Sequence, residues 1–265
     1  MLRKIGFVIL ASLLLFSAAC AGEPASHETV TTNTASSFFL SSHNVNGLVF
    51  IGVAGRRSNP KETLRLALED AARRVAIFYN VTGEYAVQLN IGSGLFDYAQ
   101  NTFTALYYDR GGPAQYIDAL QFNTATDTLE TENAFFIRTT YPATLAYPVS
   151  YSPVYDSDGK PDWVDNPPLE IGGYEVGVGY SGRYSSMADT CTNSYNNAIF
   201  AIIRNINTTA QSSDLYYQDT SLFGYMTSSN NVTYSYGTLT GLYALDMWID
   251  PQTKAVSTLV IAPKF

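Results

Sequence analysis

The chain is 265 residues long and carries 15 basic against 23 acidic side chains, a net charge of −8. Binding to nucleic acid is driven by basic contacts to phosphate, so this balance argues against a nucleic-acid partner. The length suits one large domain or two small ones, and 20 Tyr and 14 Phe among many Ser and Thr point to substantial β-sheet.

The first twenty residues read as an export signal in three parts. Arg3 and Lys4 supply positive charge, residues 5–16 are almost wholly apolar, and Ser17-Ala18-Ala19 precedes Cys20. The apolar run is too short and wrongly flanked for a spanning helix. Small residues ahead of a cysteine resemble a bacterial lipobox, with Ser17 standing where Leu is commonest. That resemblance implies that residues 1–19 are a signal peptide. It also implies that Cys20 is lipidated, becomes the N-terminus and anchors the protein in the cell envelope, with the outer membrane the expected location. The remaining chain would hold 13 basic and 23 acidic side chains, a net charge of −10. Attachment then rests on acyl chains and not on attraction to anionic lipid. With Cys20 lipidated, Cys191 has no partner for an intramolecular disulfide, and it reads as a small buried hydrophobe. Residues 20–45 read as a flexible tether, because Ala, Ser, Thr and Asn dominate and no apolar period is sustained.

Beyond residue 45 the chain repeats. A first unit, residues 46–145, opens with a strand at Leu48-Val49-Phe50-Ile51 running into Gly52-x-x-Gly55. A second, residues 162–265, has its strand at Tyr174-Glu175-Val176 running into Gly177-x-Gly179, so that Gly52 is matched with Gly177, and residues 146–161 link the two. Both strands lead to helices. In the first, Asn59 suits the N-cap, Pro60 the first helical position and Glu62 the capping box; in the second, Ser186 and Asp189 keep the same spacing. Leu64, Leu68, Ala71, Val75 and Tyr79 form one apolar stripe, and Cys191, Tyr195, Ala198, Ile202 and Ile206 form another, each 127 residues later. Glu69–Arg73 and Asp70–Arg74 are four-apart pairs on the outer face of the first helix. Strands are expected at 119–122 and 244–247, with Ala119 matched to Ala244, followed by second strands at 134–137 and 257–261. The pattern predicts an α+β fold of two similar units, each a helix packed on a mainly antiparallel sheet.

The run Lys160-Pro161-Asp162-Trp163-Val164-Asp165-Asn166-Pro167-Pro168, followed by Tyr174-Glu175-Val176-Gly177-Val178-Gly179, resembles the LPP-twenty lipoprotein family. Its members pair a Pro-x-Trp-Val/Ile-x-Asn-Pro motif with a Gly-Val-Gly strand and an Ala-rich helix. The second unit matches the motif and the strand, while its Asn196-Asn197 departs from the helix. The first unit lacks the Trp but matches the helix better, through Ala71-Ala72-Arg73-Arg74. The resemblance implies tandem α+β units in an exported lipoprotein of the outer membrane, and no agreed biochemical activity.

Candidate sites fall to elementary chemistry. Asp156, Asp158, Asp162 and Gly159 superficially resemble a calcium loop, but the ligand spacing collapses after Gly159 and Pro167-Pro168 replaces an exiting helix, so a solvated turn is expected. His27 and His43 lie in the presumed tether, away from any scaffold that could hold a base against a nucleophile. Two His and one free Cys make no zinc set. Gly52-x-x-Gly55 and Gly177-x-Gly179 complete no phosphate-loop fingerprint and read as turn geometry. No metal, cofactor or catalytic residue is expected, and Cys20 is the one assigned site. The expected function is a lipid-anchored envelope lipoprotein with a binding or structural role. Its partner would be an envelope protein or a glycan; the tyrosines of the second unit (Tyr180, Tyr184, Tyr216, Tyr217, Tyr225, Tyr234, Tyr236 and Tyr243) are the candidate contact face, although sheet packing with the hydroxyls at the rim is their expected role. The alternative is an envelope enzyme, a glycan-acting hydrolase with two carboxyls converging across a cleft at roughly 5–10 Å.

Overall fold

In the computed structural model, which describes residues 38–40, 47–91, 98–108, 112–210 and 229–264, the first apolar run forms strand β1 (Leu48–Gly55) and turns into helix α1 (Pro60–Tyr79). Asn59 caps that helix by accepting the Lys61 N–H at 3.1 Å, and Pro60 opens it. Glu62 does not close the expected capping box. Together with Glu69 it pairs with Arg65 along the exposed face. The chain continues through β2 (Val81–Ile91), β3 (Tyr98–Tyr107), the short helix α2 (Pro113–Ile117), β4 (Thr128–Glu130) and β5 (Ala134–Tyr141). A single 3-10 turn at Asp162–Val164 and the two-residue strand β6 (Glu170–Ile171) lead into the second half. There β7 (Tyr174–Ser181) feeds α3 (Met187–Ala210), followed by β8 (Ser229–Leu239), β9 (Tyr243–Ile249) and β10 (Val256–Pro263).

All these strands pair antiparallel, in three sheets of order β1-β5-β4, β6-β7-β10-β9 and β3-β2-β8. The fold is α+β, with α1 on β1 and α3 on β7 and β10. Strand pairing makes the two halves equivalent: β1 lies beside β5 as β7 lies beside β10, and β4 flanks β5 as β9 flanks β10.

The strand-to-helix connection repeats atom for atom. The Arg57 N–H donates to Thr63 Oγ1 at 3.0 Å, and Thr63 Oγ1 meets the Asn59 carbonyl. The Tyr184 N–H donates to Thr190 Oγ1 at 3.0 Å, and Thr190 Oγ1 meets the Ser186 carbonyl. Each of these second-half residues lies 127 positions after its counterpart. Ser186 also accepts the Asp189 N–H and donates its hydroxyl to the Asp189 carboxylate, so the N-cap side-chain bond expected at this spacing forms.

The glycine match shifts by two residues. A Cβ on Gly52 would lie 1.9 Å from the Ala67 carbonyl oxygen, and one on Gly179 would lie 2.0 Å from that of Ser194, again 127 apart. Gly52 therefore corresponds to Gly179 and not to Gly177. These glycines sit inside strands, under helix backbone, so close approach and not turn geometry requires them.

The expected strand at 119–122 does not form. Pro113 nucleates α2, and the Asp127 carboxylate then accepts the Asn123 N–H at 2.7 Å and closes a turn. Only Gln121 bridges to Thr140. Leu120 is nonetheless buried. The other three predicted strands are parts of β5, β9 and β10.

The halves are tied together in three ways. The third sheet joins β2 of the first half to β8 of the second, with Tyr85 opposite Ser235. Tyr243 on β9 reaches the free edge of β1: its hydroxyl accepts the Val49 N–H at 3.1 Å and donates to the Val49 carbonyl at 3.0 Å. Finally, Asp70 and Arg74 do not lie on an outer face. Asp70 accepts the Val53 N–H at 3.0 Å and pairs with both Arg73 and Arg74. Arg73 donates to Thr192 on α3, and the Arg74 guanidinium lies 4.8 Å from the centre of the Tyr195 ring. Burial pushes the Asp70 carboxyl up, but the two guanidinium groups and the Val53 N–H outweigh it and hold it below the usual range.

Of the stripe residues, Ala71, Val75, Cys191, Tyr195, Ala198 and Ile202 are buried, while Tyr79 is exposed and stacks on Tyr116. Within the stretch expected to be tether, Phe38 and Phe39 are helical, and Phe39 is buried edge-to-face on Phe136. The compact body therefore takes in Phe39. Trp163 is buried in the core between the halves, and its indole N–H donates to Asp246 at 2.9 Å. Val164 packs at the edge of the same core.

Candidate functional site

The repeated connections meet at one place. The turn after β1 and the turn after β7, with the first turn of α3, line an open cleft of about 620 Å3. That volume is within the range of small-molecule sites. Its floor is apolar, from Val53, Ala54, Leu66 and Met187. Its rim carries Arg56 and Arg57 from the first turn, Arg183 and Tyr184 from the second, and Lys254 from the β9–β10 connection. Arg56 and Arg183 are equivalent in the repeat, 127 residues apart, as are Arg57 and Tyr184. The two equivalent connections thus place Arg56, Arg57 and Arg183 around one cleft.

The charge of the cleft is opposite to that of the chain. Four cations line it against two acids, Glu132 and Asp189, and the Asp189 carboxylate is committed to Ser186. Among the described residues, Arg56 pairs with the exposed Glu130, at 3.8 Å, a surface contact of little energy. Among the described residues, the guanidinium groups of Arg57 and Arg183 make no hydrogen bond or ion pair. The acid nearest Arg57 in charge terms is Glu62, and Arg65 already holds that carboxylate. Lys254 has a left-handed backbone, with φ of 62°, an uncommon state for a non-glycine residue. Its Nζ donates to the Pro251 carbonyl at 2.7 Å. The arrangement can hold an anion chemically, because guanidinium groups donate bidentately to carboxylate and phosphate.

The calcium-like run is a turn. The Asp156 carboxylate accepts the N–H groups of Asp158 and Lys160, both at 2.9 Å, and Asp162 accepts the Val154 N–H. Among the described residues, no three of His, Cys, Asp and Glu come together as a metal-ligand set. Cys191 is fully buried, and burial pushes its thiol up to about 12 in spite of the nearby Arg74. Burial drives the Asp246 carboxyl strongly upward, to about 7, and its bonds from Trp163 and the Met247 N–H only partly offset this. It lies outside the cleft, beside a void of about 20 Å3.

No family model, curated protein or solved structure matches the chain. Cys20, the assigned lipidation site, lies outside the described residues, as do His27, His43, Tyr216, Tyr217 and Tyr225 and the side chain of Tyr234. Of the remaining tyrosines, Tyr184 joins the cleft, Tyr180 and Tyr236 are exposed elsewhere, and Tyr243 is buried between the halves. Sequence reasoning missed the basic rim altogether. The signal that could have found it is Arg56-Arg57 at the repeat distance from Arg183-Tyr184.

Proposed function

We propose that this protein is a lipid-anchored lipoprotein of the bacterial envelope, of the LPP-twenty type, held through Cys20 in the outer membrane, and that its folded body binds an anionic ligand in the cleft without catalysing a reaction on it. The lipobox at Ser17-Ala18-Ala19-Cys20 and the buried lead-in residue Trp163 support the first part. One observation carries the second: Arg57 and Arg183, whose guanidinium groups make no hydrogen bond or ion pair among the described residues, stand on the rim of a single cleft in an acidic chain. Both side chains are exposed, so their guanidinium groups are open to bidentate bonding by an incoming anion.

Anchoring is tested with Cys20→Ser. Wild-type protein should partition into the detergent phase and take acyl label, and the variant should do neither. A variant that still partitions with detergent and still takes label contradicts the anchor.

A further inference from the structure

The cleft also indicates the size and kind of its ligand. We infer that it takes an anionic sugar, a saccharide of one or two rings carrying a carboxylate or a phosphate; this rests on the anion-binding reading above.

Four cations and two acids leave the cleft at a net +2, while the whole chain stands at −8. Beyond roughly 8–10 Å at physiological salt, fields are screened, so a small ligand inside the cleft feels the local excess. A polyanion or an anionic bilayer extends past that distance and meets the acidic remainder of the surface. A compact ligand with one or two negative charges is the species that this distribution favours, and about 620 Å3 accommodates one.

The lining argues for a sugar. A pyranose presents apolar C–H faces and a rim of hydroxyls. The cleft presents an apolar floor, a ring in Tyr184 that is 55% exposed, and hydroxyl or amide groups in Ser185 and Asn133. Tyr184 offers flat contact area with a polar tip. Its backbone is fixed by the bond to Thr190, so the ring stands on a rigid turn. An inorganic anion would use the arginines and leave Tyr184, Ser185 and Asn133 without a role.

The test is calorimetric titration of the full chain, solubilised in detergent, with a galacturonic acid disaccharide, glucose 1-phosphate, glucose and inorganic phosphate. At least one of the two anionic sugars should bind about tenfold or more tighter than glucose, and which of them does so separates carboxylate from phosphate. Arg57→Ala and Arg183→Ala should each weaken that binding about tenfold or more, the loss expected for a charge-assisted hydrogen bond. Lys61→Ala, a cation on α1 outside the cleft, should leave it unchanged. Tyr184→Ala should weaken the sugar and leave inorganic phosphate unaffected. If phosphate binds as tightly as the anionic sugars and Tyr184→Ala changes nothing, the sugar is wrong and the anion site stands. If no anion binds, or the arginine variants bind as wild type does, the anion site itself is overturned. Adsorption to phosphatidylglycerol vesicles, abolished by the same arginine variants, with no response to either sugar, would assign the cleft to a lipid surface and refute the inference.

Discussion

Gly52→Ala and Gly179→Ala should each destabilise the protein by about 3–5 kcal/mol, at or above the upper end of overpacking costs. The reason is steric and leaves no easy relief. The new methyl carbon would lie 1.9 Å from the Ala67 carbonyl oxygen in one case. In the other it would lie 2.0 Å from the Ser194 carbonyl oxygen and 2.2 Å from the Ala198 nitrogen. These are helix backbone atoms, so no rotamer change can clear them; α1 or α3 must lift off its strand. Lifting α1 also opens the junction at which Asp70 pairs with Arg73 and Arg74 beside α3, where an uncompensated buried charge is costly. Gly55→Ala is the control, since a Cβ there meets nothing within 4 Å. Urea unfolding midpoints check this. Costs below about 1 kcal/mol at both sites would mean that the helices are not seated as described.

Trp163→Ala should cost about 3–5 kcal/mol, the usual range for emptying a fully buried large aromatic. Trp163 is 1% exposed, and it donates one of the two hydrogen bonds that the Asp246 carboxyl accepts. Its loss leaves a cavity and removes a donor from a buried acid. Asp246 also gives the wild type a pH signature. Its carboxyl titrates near 7 in the fold and near 3.9 when unfolded. Between those values the native state keeps a proton that the unfolded state has released. The stability contribution is therefore fully present below about pH 4 and falls, by at most about 1.4 kcal/mol per pH unit, as pH rises through 7. Removing the Trp163 donor should push the titration higher and extend the falling limb. Unfolding free energies at pH 5 and 8 for wild type, Trp163→Ala and Asp246→Asn check both statements. Asp246→Asn should lose the component between those pH values. A mild Trp163→Ala, or an Asp246→Asn slope identical to wild type, would contradict the described core.

How far the sequence carried the fold follows from the range of each interaction. The strand–turn–helix units were legible because caps, apolar stripes and their 127-residue spacing are local patterns repeated twice. The glycine register was misjudged by two because Gly177 and Gly179 both lie under α3, and only the distance to a particular helix carbonyl separates them. The third sheet was not legible, because β2 and β8 pair residues such as Thr82 and Thr238 that are 156 apart in sequence. Asp70 and Arg74 have the spacing of a solvated pair, and nothing in one helix reports that α3 covers them. The cleft escaped for the same reason. Arg56-Arg57 and Arg183 are ordinary turn residues until the two halves bring their turns together.

Arginine-directed labelling with phenylglyoxal, read by mass spectrometry, tests the proposal that Arg57 and Arg183 face a ligand in the envelope, by comparing intact envelopes with the purified, dialysed protein. Both arginines should react freely in the purified protein and be protected in envelopes, with protection lost on washing at high salt, while Arg65, engaged with Glu62 and Glu69, should react alike in both. Equal reactivity of Arg57 and Arg183 in the two preparations would contradict the claim.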